Sequence, residues 1–437
     1  MATNSTIEAA KLASLAARTV ARLPAEQKRA ALYAIARALA ANADTIAQAN
    51  AKDLEAARLL VDAGRMSPAL LQRLALDASK VRGLVAGIEQ VADMEDPVGR
   101  VTLATELDEG LRLERVTCPI GVIGVVFESR PDALPQIVAL CLKSGNAVLL
   151  KGGSEAERSN RALWEVIQRA AIGSGIPAAA ITLLETREDV EALLGADEYV
   201  DLIVPRGSNA LVRHIQTHTS IPVLGHAEGV CHVYVDRSAN LDRALAIAVD
   251  AKVQYPSACN AMETLLVHEE VASRFLPRVV SALLASEVEV RCDRRSIEEF
   301  GIAAARATDE DWGTEYSGLV LSVRVVASLD EAIAHIGRYG SRHTEAIVTE
   351  DMAAFDHFFA EVDAAGVYLN ASTRFADGFR YGFGAEVGVS TGKLHPRGPV
   401  GMDGLVTYKY KLVGNGHVVA TYTGPRARRF THRRLDH

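Results

Sequence analysis

Short apolar segments of strand type alternate with longer segments of helix type through residues 118–235. The strand-type segments are GVIGVVF (121–127), NAVLLKG (146–152), ITLLE (181–185) and VDLIVPRG (200–207). The helix-type segments between and after them cover 133–143, 154–172, 188–194 and 208–217. Strands that are separated by helices of this length form parallel sheets through βαβ units. The pattern therefore predicts an α/β fold.

A second series of the same kind begins after residue 240. Helix-type segments at 241–253, 270–285, 329–339 and 351–362 alternate with apolar strand-type segments, which predicts a second α/β domain. Upstream of both series, residues 5–75 are rich in Ala and Leu with helical periodicity and predict two or three amphipathic helices. The glycine-rich stretch 375–404 predicts a long loop region.

Two further segments alternate as antiparallel strands do. Residues 98–117 flank Asp108-Glu109-Gly110 and predict a hairpin, and residues 405–413 predict another strand. The last thirteen residues, 425–437, hold five arginines and one aspartate. We expect them to form a mobile, solvated tail.

Composition narrows the classes of function. The chain has 437 residues, 49% of them hydrophobic and 23% charged, as globular proteins have. A net charge of −8 and 5% aromatic residues disfavour nucleic acid as a partner. No segment has the length of a membrane span or the pattern of a signal peptide, and the five cysteines have neither disulfide-scaffold nor metal-site spacing. We therefore predict a cytoplasmic protein without a metal site.

Cys259 lies in the loop segment YPSACNA between a predicted helix and a predicted strand. Small and polar neighbours leave a thiol open to a substrate, so Cys259 is a candidate nucleophile. A small buried hydrophobe is the alternative, and local context leaves both open. Cys141 and Cys231 lie in apolar runs and are expected in the core.

Residues 148–160, VLLKGGSEAERSN, place a lysine and two glycines between a strand and a helix that we expect Ser154 to cap. Backbone N–H groups and positive charge at such a turn suit a nucleotide phosphate. An ordinary glycine turn is the alternative, because the segment matches neither the P-loop nor the GxGxxG pattern. The segment VPRGSNALV (204–212) repeats the arrangement.

Taken in order, these sites resemble the aldehyde dehydrogenase superfamily and, more closely, its glutamate-5-semialdehyde dehydrogenase family of proline biosynthesis. The resemblance rests on PIGVIGVVFESRPD, LKSGNAVLLKGGSEAERSN, VDLIVPRGS, CNAMETLLVH and VYLNASTRFADGFRYGFGAEVGVSTGKLHPRGPVG. It implies a Rossmann-type NADPH-binding domain over 1–228, an α/β catalytic domain over 229–400 and an oligomerisation strand with a basic tail over 401–437. The hairpin 98–117 would contribute to a β oligomerisation flap, and part of 364–400 would be able to return to the cofactor domain.

The resemblance also implies a reaction. It is the NADPH-dependent reduction of L-glutamyl 5-phosphate to L-glutamate 5-semialdehyde and phosphate, through a thioester on Cys259. A homo-oligomer and functional coupling to glutamate kinase are the implied partners. Three alternatives stay open: an aldehyde-oxidising or CoA-acylating dehydrogenase, a nucleic-acid-binding protein that uses the arginine-rich tail, and a catalytically silent homologue.

The resemblance assigns cofactor-binding residues one by one. Lys151 takes the place of the lysine that holds the adenosine ribose. Ser154 stands where NAD-preferring relatives often carry a glutamate, and Arg158 adds positive charge one turn later, so NADPH is expected over NADH. The pair Gly207-Ser208 matches the helix cap at the nicotinamide end. Glu315 matches the glutamate of the nicotinamide ribose, although its Glu-Tyr-Ser-Gly segment departs from the usual Glu-x-Phe-Gly-Pro.

The catalytic assignments follow in the same way. Cys259 takes the position of the nucleophile, and its own peptide N–H is the expected oxyanion donor. Ser129 stands nearest the place where hydrolytic members carry an oxyanion asparagine. Three arginines, Arg130, Arg374 and Arg397, are candidates to bind phosphate or the α-carboxylate of the substrate, and the resemblance does not decide between the two.

The deacylating base of the hydrolytic members has no clear equivalent in this sequence. Alignment back from the strand CHVYV places His226 at that position and Glu228 two places later. A reductase of an acyl phosphate needs its thioester to survive until hydride arrives. We therefore expect an acyl-enzyme that resists water.

Overall fold

The computed structural model describes residues 2–128, 130–225 and 228–436, with side chains except at 2–4, 68 and 69. Its α-helices are α1 (Ala2–Val20), α2 (Ala25–Ala41), α3 (Ala43–Asp62), α4 (Pro68–Leu74), α5 (Ala78–Asp93), α6 (Ala133–Lys143), α7 (Glu157–Gly173), α8 (Glu188–Leu194), α9 (Asn209–His218), α10 (Leu241–Val253), α11 (Glu269–Ala285), α12 (Arg294–Glu298), α13 (Leu329–Tyr339) and α14 (Met352–Glu361). None of these helices is both long enough and apolar enough to cross a bilayer.

Its strands are β1 (Val101–Asp108), β2 (Leu111–Pro119), β3 (Val122–Phe127), β4 (Ala147–Gly152), β5 (Ile181–Leu184), β6 (Leu202–Arg206), β7 (Cys231–Val235), β8 (Met262–His268), β9 (Glu289–Cys292), β10 (Ala305–Arg306), β11 (Val320–Val326), β12 (Thr344–Val348), β13 (Gly366–Leu369), β14 (Val389–Ser390), β15 (Gly398–Pro399), β16 (Val406–Val413) and β17 (Arg433–Arg434). The chain divides into two compact units. Unit 1 comprises 1–224, 384–388 and 400–437, and unit 2 comprises 225–383 and 389–399.

Unit 1 is built on a parallel four-stranded sheet of order β5-β4-β3-β6. The central strands β3 and β4 are buried along their whole length, because helices cover both faces of a parallel sheet. A second sheet of the same unit, of order β16-β2-β1-β17, is antiparallel.

Unit 2 is built on a parallel seven-stranded sheet of order β10-β9-β11-β8-β7-β12-β13. Alternate residues of β7 point to opposite faces of this sheet. Val233 and Val235 pack into a core with α10 and α11, whereas Tyr234 packs into a second core with α13 and α14. The α/β fold predicted from the sequence is confirmed.

The helix bounds predicted at 133–143, 188–194, 241–253 and 329–339 are confirmed to the residue. The hairpin at 98–117 is confirmed as β1 and β2, which are joined at Glu109-Gly110. The expectation that Ser154 caps the following helix is wrong. Ser154 opens a 3₁₀ turn over Ser154–Ala156, and the residue in the cap position of α7 is Ala156, which has no side chain able to cap.

The expectation of a mobile basic tail is also wrong. The tail returns to the hairpin, where β17 pairs with β1. Arg428 Nη2 donates to Asp108 Oδ1 over 2.7 Å, and Tyr422 Oη donates to Asp108 Oδ2 over 2.9 Å. Arg433 Nη2 donates to Glu106 Oε2 over 2.6 Å. The tail arginines are held because the hairpin presents the carboxylates of Asp108 and Glu106 to them. Sequence periodicity does not reveal this pairing.

Candidate active site

Cys259 lies in the loop 254–261, which joins the end of α10 to the start of β8. Two backbone hydrogen bonds shape this loop, from Ala258 N to Tyr255 O (3.2 Å) and from Ala261 N to Ala258 O (2.9 Å). Cys259 is partly exposed there. A partly exposed thiol in a loop can meet a substrate, which a core thiol cannot.

The other cysteines have different surroundings. Cys141, Cys231 and Cys292 are buried, and the predictions that Cys141 and Cys231 belong to the core are confirmed. Burial raises the pKa of Cys141 and of Cys292 to about 12, so neither forms a thiolate near neutral pH. Cys118 is partly exposed but lies on β2 of the antiparallel sheet. Loop position therefore distinguishes Cys259 as the candidate nucleophile.

The backbone of Cys259 is held against the segment that leads into β7. A Cβ atom added to Gly229 would overlap the carbonyl group and Cα of Cys259, so a glycine is required for this close approach. The thiol of Cys231 donates to the carbonyl oxygen of Cys259 over 3.3 Å. Glu315 Oε2 accepts from Gly229 N over 3.0 Å, which places the predicted ribose-binding carboxylate next to this contact.

Arg374 is the arginine candidate that the structure brings to Cys259. It lies in the 3₁₀ turn Thr373–Phe375 and is 7% exposed. Its Nε donates to Gln254 Oε1 over 3.0 Å, and its Cζ lies 5.7 Å from the centroid of the Tyr255 ring. Burial, followed by the charge of Arg380, lowers the pKa of Arg374, whereas the charge of Cys259 raises it. The structure therefore holds a buried guanidinium on the loop that carries Cys259.

Asn260 ties the Cys259 loop to the Arg374 segment. Its Nδ2 donates to the carbonyl oxygen of Ala376 over 2.8 Å, and the residue is 4% exposed. Sequence reasoning missed Asn260, although its place directly after the candidate nucleophile was a signal. It also missed Gly229, whose role depends on a contact between distant parts of the chain.

The other two arginine candidates have carboxylate partners elsewhere. Arg130, in unit 1, lies 3.7 Å from Asp132 and is half exposed. Arg397, in unit 2, donates from Nη2 to Asp363 Oδ1 over 2.9 Å, beside Lys393. The catalytic candidate Ser129 and the base candidate His226 lie outside the described residues.

The strand–turn–helix of unit 1 places Lys151 at the carboxyl end of β4. Lys151 is 8% exposed, and its Nζ donates to Gly152 O over 2.5 Å. Burial lowers its pKa, while the carboxylates of Glu155 and Asp189 oppose that effect. The Lys151 ammonium group therefore needs a further anionic or hydroxyl partner to replace the hydrogen bonds to water that burial removes.

Ser154 is exposed on the same turn. Arg158, one helical turn later, has a carboxylate partner, because its Nη1 donates to Asp53 Oδ1 over 3.3 Å. Asp53 is buried and also accepts from the backbone and the hydroxyl of Ser159. The positive charge of Arg158 is thus partly neutralised within unit 1.

Gly207 and Ser208 form the turn before α9, as the sequence predicts. Ser208 Oγ accepts from Leu211 N over 3.5 Å, and Ser208 N donates to Glu128 Oε2 over 2.8 Å. A Cβ atom at Gly207 would lie 2.5 Å from the Glu128 carboxylate, so the Glu128 side chain would have to move. Sequence reasoning missed Glu128, which directly precedes the candidate Ser129. It joins the end of β3 to the N-terminus of α9, where a carboxylate is favourable.

No cluster of three or more His, Cys, Asp or Glu residues in the described part of the chain has the geometry to hold a metal ion.

Comparisons with known proteins agree with this architecture. The family model described as "Aldehyde dehydrogenase family" matches residues 1–297. A gamma-glutamyl phosphate reductase of Cyanothece sp. is 57% identical over 420 residues, with 96% of each chain covered. One of Synechococcus sp. is 58% identical over 429 residues, with 97% of this chain and 93% of that protein covered.

A solved structure gives the same result. The crystal structure of a gamma-glutamyl phosphate reductase from Thermotoga maritima matches with a TM-score of 0.91 and 40% identity, and the match covers 94% of this chain and 99% of that one. Because both the family model and near-full-length relatives match, this chain belongs to the aldehyde dehydrogenase family and, within it, to the gamma-glutamyl phosphate reductases.

Proposed function

We propose that this protein reduces L-glutamyl 5-phosphate to L-glutamate 5-semialdehyde and phosphate, with NADPH as reductant and Cys259 as nucleophile. Near-full-length identity above 50% to gamma-glutamyl phosphate reductases supports the reaction. The observation that carries the site is Cys259 itself, a partly exposed thiol in a loop to which the buried Arg374 is hydrogen-bonded.

The first step is attack by the Cys259 thiolate on the acyl carbon of the substrate. A carbon–sulfur bond forms, the bond from carbon to the phosphate oxygen breaks, and phosphate leaves with the electron pair. The carbonyl oxygen becomes negative during the attack, and the peptide N–H of Cys259 is the proposed donor to it. An acyl phosphate is already activated, so this step needs neutralisation of charge more than it needs a strong acid.

The second step consumes the thioester. NADPH supplies a hydride to the thioester carbon when it is bound. The resulting thiohemiacetal on Cys259 collapses to the aldehyde, and the thiolate returns to its starting state. Lys151, Ser154 and Arg158 of unit 1 are the proposed ligands of the adenosine end, with Gly207, Ser208 and Glu315 proposed for the nicotinamide end.

Arg374 is the proposed electrostatic partner of the substrate. A guanidinium in fixed geometry binds carboxylate or phosphate through paired hydrogen bonds. Nε of Arg374 donates to Gln254, which fixes the guanidinium relative to the Cys259 loop. Arg130 and Arg397 remain candidates of the same class, each beside a carboxylate that a substrate anion would have to compete with.

The preference for NADPH over NADH rests on the exposed Ser154. A serine hydroxyl can donate to a 2′-phosphate, whereas a glutamate in that place would repel it. Arg158 contributes less than an unpaired arginine would, because Asp53 shares its charge.

A second copy of this chain is the proposed macromolecular partner. The strand β16 is at the edge of the antiparallel sheet, and its residues from Thr407 to Val413 are exposed. Tyr410 and Leu412 are 59% and 57% exposed. An exposed edge strand of this length presents unpaired backbone groups that favour pairing with another strand. Light scattering should give a mass above 46.8 kDa, and Tyr410→Arg should lower it.

The direct test is NADPH oxidation in the presence of glutamate, ATP and a glutamate kinase, which must generate the unstable acyl phosphate in place. The same need for a local supplier underlies the proposed functional coupling to glutamate kinase. The reverse assay oxidises glutamate 5-semialdehyde with NADP⁺, and turnover should require inorganic phosphate. Oxidation without phosphate would instead indicate a hydrolytic aldehyde dehydrogenase, and a requirement for CoA would indicate an acylating one.

A further inference from the structure

Two buried charges bracket the loop that carries Cys259. Lys252 lies in the last turn of α10, and Glu263 is the second residue of β8. Their side chains have no exposed surface, and Lys252 Nζ lies 2.5 Å from Glu263 Oε2. This ion pair, called the clasp below, closes the base of the loop 254–261.

Stability alone is a poor reason for such a pair. Two charges lose their hydration on burial, and apolar side chains of similar volume often stabilise a protein as well or better. Burial lowers the pKa of Lys252 and raises the pKa of Glu263 to about 7, because the charged form of each side chain loses its hydration. The charges that face the pair from neighbouring elements are Cys231 on β7 and Glu315 in the turn before β11. The pair therefore calls for a role in positioning.

The second carboxylate oxygen of Glu263 reaches that turn. Glu263 Oε1 accepts from Ser317 N over 3.3 Å, and Ser317 has the left-handed φ of 52°. A residue other than glycine keeps this conformation only where its surroundings fix it. The ring of the preceding Tyr316 has Lys252 Nζ 5.8 Å from its centroid, and its hydroxyl is 2.7 Å from Ser322 Oγ. Both members of the clasp thus contact the turn 315–318.

The turn leads back to the thiol. Glu315 Oε2 accepts from Gly229 N over 3.0 Å, and Gly229 packs against the backbone of Cys259. A continuous chain of contacts therefore runs from Glu263 through Ser317, Glu315 and Gly229 to Cys259. A displacement of the clasp would move both the cofactor carboxylate and the nucleophile loop.

We propose that Lys252 and Glu263 are positioning residues, which set the Glu315 turn and the Cys259 loop in their working geometry. This inference rests on the proposed function for the roles of Glu315 and Cys259. Glu263 Oε1 accepts a hydrogen bond from Ser317 N–H, and this acceptor governs cofactor binding separately from any effect on stability.

The test compares two double variants that both remove the buried charges. Lys252→Met/Glu263→Gln keeps a carbonyl oxygen for Ser317 N–H, and Lys252→Met/Glu263→Met does not, while side-chain size is nearly matched. We expect the KM for NADPH to be about tenfold higher in the Met/Met variant than in the Met/Gln variant. The reason is that the Met/Met variant loses one buried hydrogen bond between uncharged groups, the bond to Ser317 N–H. The rate at which iodoacetamide alkylates Cys259 should also differ between them.

A third variant controls for stability. Val279→Ala opens a cavity in the α11 core of the same unit without removing a hydrogen bond of the clasp, and should lower Tm while leaving the KM for NADPH unchanged. Equal KM values and equal alkylation rates in the two double variants would overturn the inference. If Met/Met does not fold, Glu263→Asp is compared with Val279→Ala at matched Tm, because the shorter side chain keeps a carboxylate for Lys252 but withdraws the acceptor from Ser317 N–H. An unchanged KM for NADPH in Glu263→Asp overturns the inference equally. A wild-type protein without NADPH-dependent reduction would refute the proposed function, and the alkylation rates would still test the clasp.

Discussion

Arg374 Nε donates to Gln254 Oε1 over 3.0 Å, so a buried guanidinium is fastened to the loop that carries Cys259. The two residues are 120 positions apart in the sequence. Of the three arginine candidates, Arg374 is therefore the one that is hydrogen-bonded to the Cys259 loop.

Replacement of Arg374 by Met should lower kcat/KM for glutamyl phosphate about 10- to 100-fold, because a charge-assisted hydrogen bond to the substrate is lost. In the reverse assay, a rise in the KM for phosphate would assign Arg374 to the phosphate, and a rise in the KM for the semialdehyde would assign it to the α-carboxylate. The surface variant Arg278→Met, which loses only its pair with Asp242, should behave as wild type. Unchanged values for both substrates in Arg374→Met would contradict the assignment.

Replacement of Cys259 by Ser should abolish turnover and leave the fold and NADPH binding intact. A serine hydroxyl is almost fully protonated near pH 7, so it is a poor nucleophile without an activating base. The measurement is NADPH oxidation, with Cys118→Ser as the matched control for the other partly exposed cysteine of the described chain. Activity above about 1% of wild type in clean Cys259→Ser protein would point to another nucleophile.

Replacement of Ser154 by Glu should narrow or reverse the preference for NADPH over NADH. At a few ångströms and an effective dielectric constant of about 20, repulsion between the new carboxylate and the 2′-phosphate is on the order of a few kcal/mol. The measurement is kcat/KM for both cofactors. Ser154→Gln, which adds the same bulk without the charge, separates repulsion from steric effects. A cofactor ratio that is the same in wild type and Ser154→Glu would place the 2′-position elsewhere.

The acyl-enzyme should resist water. With glutamyl phosphate and no NADPH, each Cys259 should release one phosphate and then stop, which gives a stoichiometric burst. In the full assay, NADPH consumed should equal phosphate released. The measurement is enzyme-dependent phosphate release, corrected for spontaneous breakdown of the substrate. Continued release over many turnovers without NADPH would show that a group such as His226 or Glu228 activates water.

Asp311 should make stability depend on pH in the acid range. Burial by itself would raise the pKa of Asp311, but hydrogen bonds from Thr308 N and from Arg291 outweigh it and lower the pKa to about 2. A carboxyl group whose pKa falls on folding stabilises the protein above its unfolded pKa of about 3.9. That contribution, on the order of a few kcal/mol, is lost progressively as the pH falls from about 4 through about 2.

Acid unfolding of wild type and Asp311→Asn, followed by circular dichroism, checks this expectation. The difference in unfolding free energy between the two proteins should shrink from pH 5 to pH 2. A difference that stays constant over this range would show that Asp311 does not titrate as described.

Local sequence signals were sufficient for most of the framework. The bounds of α10 follow from its apolar periodicity and from Asn240, whose side chain accepts from the N–H groups of Asp242 and Arg243 at the first turn. The hairpin of β1 and β2 follows from alternation around a glycine at positive φ, Gly110. Both depend on neighbours within a few residues, which sequence periodicity can capture.

The sequence by itself determined the α/β architecture, the loop position of Cys259 and the resemblance to the aldehyde dehydrogenases. The tertiary structure alone decided which arginine is hydrogen-bonded to the Cys259 loop, that Asp53 takes up part of the charge of Arg158, and that the basic tail packs on Asp108. It alone joined Lys252 and Glu263 to the turn of Glu315. The physical reason is that charge pairing and desolvation act between atoms close in space, whatever their separation along the chain, whereas periodicity records only which face of each segment is buried.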